Sequence, residues 1–394
     1  MTSPTPLKGI RVLEFTHMVM GPTAGMTLAD LGAEVIKVEP APEGDSTRRL
    51  TGSGTGFYAA FQRSRRSLCI DIKAPEGLAL VRRLALKTDV LVENFRPGAM
   101  AKLGLGFAEL SALNPGLVYC SCKGFLPGPY EHRTALDEVV QMMGGLAYMT
   151  GLEGRPLRAG SSVIDIMGGL SAVVGILAAL SERQRTGLGG EIQAGLFETV
   201  ALLMAQHMAQ TKITGTAPPP MSVRRPAWPV YDIFETSDGG QVFVGVVTDT
   251  QWPAFCAAFG LQDLAADPTL ATKQQRVVER ERTIPRIAAA LAAYTKPELM
   301  AKCEALGLPF APIGKPADLF EDPHLLGSGG LVPLTLPDGS TIDLPALPVS
   351  IDGARPGGTG DLRRPGEDGP AIAAELGYSA EEIAALRATG ILAG

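Results

Sequence analysis

Over residues 9–39 the spacing of apolar positions changes twice. Gly-Ile-Arg-Val-Leu-Glu-Phe at 9–15 is a β-rich run, 21–31 places its apolar residues at helical intervals, and Gly-Ala-Glu-Val-Ile-Lys-Val-Glu at 32–39 is β-rich again. The pattern predicts a β-α-β unit. Further alternation follows, with strands expected over 67–72, 90–94 and 117–122 and a helix over 75–85. Strands that alternate with helices point to a mostly parallel sheet covered on both faces.

Longer helical runs are expected at about 166–185 and 194–212, separated by Thr186-Gly-Leu-Gly-Gly-Glu-Ile-Gln, a turn that leads into a short strand. The pattern then breaks at Gly215-Thr-Ala-Pro-Pro-Pro-Met-Ser-Val-Arg-Arg-Pro-Ala-Trp-Pro, an extended, Pro-rich passage suited to a domain boundary. Beyond it, 231–247 reads as a hairpin turning at Ser237-Asp-Gly-Gly, helical segments continue to about 305, and a second Pro/Gly-rich passage follows Pro323. The expected division is a large Rossmann-like α/β domain begun by 1–213, a linker over 214–227, a smaller α+β domain over 228–322, and a linker and return to the large domain through 323–394.

Composition changes this picture little. At 394 residues, and about 150 residues per domain, at least two domains are expected. Apolar residues are 45% and charged ones 19%, as in a soluble globular enzyme, and the net charge of −6 argues against nucleic acid as a partner. The five cysteines match neither zinc nor redox spacings and read as reduced core thiols. The first residues lack a secretory signal's charged and apolar regions, so a cytoplasmic protein is expected. The longest uncharged stretch, 166–181, falls short of the roughly 20 residues a bilayer crossing needs; it reads as a buried helix, with no membrane partner.

Several chemistries drop out. The opening β-α-β unit, with Glu39 as a would-be ribose acceptor, lacks G-x-G-x-x-G, which argues against NAD. There is no phosphate-binding lysine loop and no G-x-S-x-G elbow, and the four histidines form no metal spacing. What remains are polar residues at strand-to-helix junctions, where open α/β sheets bind ligands: His17, Asn94 with Phe95, Lys123 with Gly124, and Asp165. The last stands in Ser161-Ser-Val-Ile-Asp-Ile-Met-Gly-Gly. It reads either as a helix cap or as a nucleophile, held ionised by helix-start amides and left approachable by Gly168 and Gly169.

Several blocks, in order, carry a further signal: Leu-Lys-Gly-Ile-Arg-Val-Leu-Glu-Phe-Thr-His17, Ala-Asp-Leu-Gly-Ala-Glu-Val-Ile-Lys-Val-Glu39, Arg65-Arg-Ser-Leu-Cys-Ile-Asp-Ile-Lys, Asp89-Val-Leu-Val-Glu-Asn94-Phe-Arg-Pro-Gly and Gly154-Arg-Pro-Leu-Arg-Ala-Gly. They resemble the class III CoA-transferases, the family of formyl-CoA and carnitine CoA-transferases, densely over about the first 210 residues and loosely beyond. The resemblance implies that Asp165 is the nucleophile and passes through an aspartyl-CoA thioester, with coenzyme A as substrate and product and no metal. It implies that His17, Asn94 and Phe95 meet CoA, that Arg65, Arg66, Lys102 and Lys123 are candidates for its phosphates, that Asp137 positions the acceptor acid, and that Gly168 and Gly169 leave room for the thioester and offer amides to its developing oxyanion.

It also implies a ring-shaped chain that threads a second copy in an interlocked homodimer. Val19 stands where the formyl-CoA enzymes carry a glutamine, and residues 214–230 hold no tetraglycine loop, which argues against oxalate and formate. The expected acceptor is a small carboxylate or dicarboxylate such as succinate, malate, mesaconate or a citramalate-like acid, with succinyl-CoA or acetyl-CoA as donor. Arg224, Arg225 and Trp228 are candidates for a second carboxylate. The alternative is an α-methylacyl-CoA racemase, whose signature histidine is replaced here by Leu136, with His132 four residues out of register. A CoA-binding scaffold without chemistry is the non-enzyme reading.

Overall fold

Six parallel strands make the central sheet of this computed structural model, which describes residues 3–224, 226–357 and 360–394. They are β1 (Arg11–Phe15), β2 (Glu34–Pro40), β3 (Arg66–Ile70), β4 (Val90–Glu93), β5 (Val118–Lys123) and β6 (Gly190–Gly195), in the order 3-2-1-4-5-6. At the centre, Val12 of β1 is in register with Val35 on one side and Val90 on the other. Side chains alternate across a strand, so the sheet feeds two cores. Val12, Val35, Val90 and Val118 enter one, while Leu13, Ile36, Leu68 and Leu91 enter the other.

The first core is closed by helices α1 (Met20–Asp30) and, after α2 (Pro75–Ala85) and α3 (Asp137–Met143), by α4 (Val163–Thr186). The second is closed by α2 and, near the chain end, by the helix Gly369–Glu375, whose Ile372 and Ala373 pack beside Leu80 and Leu84. The chain end therefore returns to the sheet it began. Strand order reverses between β1 and β4, and a crevice opens there at their C-terminal ends.

The 24-residue α4 is longer than the 166–181 stretch and less buried than expected. Ile164, Gly168, Ala172, Val173 and Ile176 are buried, while Leu170, Val174 and Leu177 on its outer face are exposed. By length and composition alone it could cross a membrane. Its inner face is packed on α1 through two glycines. A Cβ on Gly169 would stand 2.4 Å from the Met20 carbonyl oxygen and 2.7 Å from Thr23 Cβ, and one on Gly168 2.9 Å from Met20 Cε.

Three departures from the sequence reading are local. The run at 194–212 is two helices, Leu196–Leu203 and Ala205–Thr214, because Met204 (ψ 1°) leaves the helical conformation. The passage after Pro323 is not a plain linker: Leu331–Thr335 pairs antiparallel with Thr341–Pro345 and parallel with Gly360–Asp361. A second compact unit spans Val223–Asp322, where 228–322 was expected. Its hairpin, Val230–Glu235 with Gln241–Val246, gains a third strand, Phe310–Pro312, over a core that includes Trp252, Phe255 and Leu291.

Candidate active site

The crevice between β1 and β4 is held by a reciprocal clamp. Asn94 Oδ1 accepts from the His17 backbone N–H at 3.1 Å, and Asn94 Nδ2 donates to the His17 carbonyl at 2.8 Å. Met18 follows at φ 64°, a left-handed conformation that costs a non-glycine residue energy, and its N–H donates to Thr47 Oγ1 at 3.1 Å. The Phe95 ring lies 6.1 Å from the His17 ring. Loss of water around His17 lowers its pKa and Lys37 adds to this, against the opposing pull of Asp45 and Asn94, so the imidazole is neutral at pH 7.

His17 and Phe95 border two cavities. One, of about 670 Å³, is also lined by Asn94, Arg96, Lys123 and the stretch 131–136. The other, of about 380 Å³, is bounded by Glu39, Gly44, Asp45, Arg49 and Lys73.

The cations expected to meet phosphate do not all come to these cavities. Lys123 does, with its Nζ held by Glu93 and by the Phe95 carbonyl at 3.0 Å. Lys102 is exposed on the short helix Ala99–Lys102, outside both linings. Arg65 is buried: it donates to Glu14 at 2.6 Å, to the carbonyls of Phe61 (2.8 Å) and Arg63 (3.1 Å), and to that of Pro22. Such a guanidinium has no free face for a ligand. Arg66 begins β3, at the edge of the sheet away from the crevice, and pairs with Glu34 at 2.6 Å and Glu375 at 2.7 Å.

Instead the cavities present Arg96, Arg133, Arg49 and Lys73. Arg96 stands directly after Asn94-Phe95, and Lys73 closes the Arg65-to-Lys73 block, so both were within reach of the sequence reading. In the second unit, Arg224 lines a separate 330 Å³ cavity with Asp232 and Arg280. Trp228 stacks 4.7 Å from Tyr231, and Arg225 lies outside the described residues.

Asp165 is the third residue of α4, yet it does not cap it. Asp137 does: its Oδ2 accepts from the N–H groups of Ile164 at 2.9 Å and Asp165 at 3.2 Å. The Asp137 carboxylate is buried, and Oδ1 takes a 2.6 Å bond from Gln141 Nε2 and a long 3.4 Å contact from Arg158. This overturns the expectation that helix-start amides keep Asp165 ionised. Burial, with Asp137 beside it and Arg158 opposing only weakly, pushes the Asp165 carboxyl up to about 7. Asp137 thus acts on the position and charge of Asp165. Gly168 and Gly169 face α1 rather than open space, so they seat the helix and leave no room for a substrate.

Asp137 follows directly on 131–136, which lines the larger cavity, and Gly168 and Gly169 rest on Met20, three residues after His17. A carboxyl held well above its ordinary range thus stands on a helix whose capping residue directly follows the wall of a crevice with cationic lining. The family model for CoA-transferase family III matches residues 7–365. The chain belongs to this family. It is 36% identical over 356 residues to the succinate–glutarate CoA-transferase of Agrobacterium fabrum, covering 87% of this chain and 89% of that one. To the succinyl-CoA–D-citramalate CoA-transferase of Chloroflexus aurantiacus it is 34% identical, with 99% and 98% covered. Among solved structures, a CAIB/BAIF family protein from Brucella suis superposes with a TM-score of 0.82 at 34% identity, covering 95% of this chain and all of that one. This member of CoA-transferase family III is thus an enzyme that works on CoA thioesters and carboxylic acids.

Proposed function

We propose that the protein moves CoA from succinyl-CoA, or a similar small acyl-CoA, to a small dicarboxylic acid through an aspartyl-CoA thioester on Asp165. The observation that carries the reading is the Asp165 carboxyl, raised to about 7 on the first turn of α4 and without a close cation. Near neutral pH about half is ionised, and that half is a stronger nucleophile than a carboxylate of ordinary basicity. The names of the relatives support the donor and the class of acceptor.

The steps follow from carboxylate chemistry. An Asp165 oxygen attacks the donor thioester carbonyl, the C–S bond breaks, and CoA thiolate leaves a mixed anhydride. The thiolate attacks the aspartyl carbonyl and expels the donor acid as its carboxylate, which leaves aspartyl-CoA. The acceptor carboxylate then attacks that carbonyl and releases the thiolate. Attack of the thiolate on the acceptor's acyl carbon gives the new thioester and restores Asp165. No net proton is taken up, so no separate acid or base is needed.

CoA is assigned to the crevice of His17, Asn94 and Phe95, with Arg96, Lys123 and Lys73 toward its phosphates. Neutral His17 and the backbone around the strained Met18 fit the thioester end. The exposed stripe Leu170, Val174 and Leu177 supports a homodimer in which a second copy covers α4. A racemase would need a histidine where Leu136 stands, and no observation favours it.

The test has two arms. Incubation with succinyl-CoA and labelled succinate, with no other acid, should exchange label into the thioester. Hydroxylamine should then trap a hydroxamate on the peptide that contains Asp165. Normal exchange by folded Asp165→Ala protein refutes the reading, and solvent deuterium at the α-carbon without label exchange would replace it with the racemase.

A further inference from the structure

We propose that the acceptor acid enters a separate pocket beside the start of α4, and that Arg158 holds its distal carboxylate, so that dicarboxylates are preferred over monocarboxylates of equal length. The inference rests on Asp165 as the nucleophile and adds where, and by what, the acceptor is chosen.

The pocket has a volume of about 650 Å³ and shares no lining residue with the two cavities at His17. Phe57 and Phe61, edge to face at 6.5 Å, and the exposed Leu157 give it apolar walls. Arg158, Ser161 and Ser162 complete the side that runs into Val163, two residues before Asp165. Among its described lining residues Arg158 is the single cation. A pocket with apolar walls and one cation, whose lining ends three residues before Asp165, suits a short methylene chain with a carboxylate at its far end.

Arg158 is also underused. It makes a 3.4 Å contact to Asp137 Oδ1, a 3.7 Å contact to Glu138, and a 3.2 Å bond from Nε to the Ala159 carbonyl, with about a third of its side chain exposed. Other arginines of this unit differ: the buried Arg63 and Arg65 close on their carboxylates at 2.7 and 2.6 Å, and the mostly buried Arg48 at 2.7 Å. A planar fork with such long contacts keeps donors for a bidentate carboxylate. The chain layout agrees, because the CoA cavity's wall precedes Asp137 and this pocket's wall precedes α4 in sequence, and Asp137 bonds the backbone of Asp165.

The test compares glutarate with butyrate as acceptors, each at saturating donor. In a two-half reaction the acceptor's kcat/KM reports only the second half. Arg158→Gln should lower the ratio of kcat/KM for glutarate to that for butyrate by about 10- to 100-fold, mainly through the KM of glutarate. Arg158→Lys should restore part of the loss. Leu157→Trp, at an exposed wall position away from Asp137, should penalise glutarate more than malonate.

An equal fall for both acids, or no fall, overturns the assignment of Arg158, and an unchanged glutarate-to-malonate ratio in Leu157→Trp overturns the pocket. The adduct on Asp165 is scored separately, in native protein with succinyl-CoA as donor. Its presence alongside a failed discrimination sinks only this inference, and its absence from native protein sinks the nucleophile itself.

Discussion

Glu14, Asp30, Glu39 and Asp45, around β1, α1 and β2, are each buried against a cation of their own: Arg65, Arg63, Arg48 and Lys37, at 2.6–3.0 Å. Burial alone would raise the carboxyls of Glu39 and Asp45. The bonds and charge of Arg48 outweigh it for Glu39 and those of Lys37 for Asp45, and both end below their ordinary range. At α4 the arrangement is reversed. Asp137 and Asp165 are two acids side by side, with one arginine loosely held against Asp137, and Asp165 rises. The first set is neutralised and serves the fold. In the second, a charge is left without a counterpart and is available for chemistry.

The largest break in this comparison comes from the nucleophile. Asp165→Ala should lower thioester exchange by on the order of 10⁴-fold or more, and abolish the hydroxylamine adduct, in protein with an unchanged unfolding curve. Removing a cation from the other set should do the opposite: Arg65→Met strands Glu14 and should cost about 3–5 kcal/mol in urea unfolding, while the folded fraction keeps its acceptor specificity.

The pH dependence sharpens the contrast. Folded Asp165 holds its proton up to about 7, against an ordinary 3.8. Between those values the folded state binds more protons than the unfolded one, so this group's contribution to stability declines as pH rises. Asp165→Asn should therefore match the native protein near pH 4 and exceed its stability by a few kcal/mol at pH 8. Activity should climb through about pH 7, and Asp137→Asn, which keeps an oxygen for the two amides but loses the charge, should move that climb to lower pH.

The smallest expected effect is on packing. Gly169→Ala must push Met20 and Thr23 aside and should cost about 1–3 kcal/mol in thermal or urea unfolding.

Most strands of the sheet and α1, α2 and α4 were legible because their apolar residues recur at strand or helix spacing, and junction residues such as His17 and Asn94 followed from their places after β1 and β4. The hairpin at 331–345 was missed although Asp338-Gly339 is a turn signal, because its strands are short and half-exposed. Arg65 and Arg66 show a different limit. Their charge is visible in the sequence, but their partners, Glu14 and Glu375, are 51 and 309 residues away. The role of Asp137 was hidden for the same reason, since the amides it caps lie 27 and 28 residues further on.

Gly168 and Gly169 of α4 have a mechanical consequence. With no side chain between the helix bearing Asp165 and the backbone of Met20, the turn that carries His17 and the turn that carries the acid are machined against one surface. A methyl group wedged there would spread the jaws of the enzyme without altering a single group that touches the thioester.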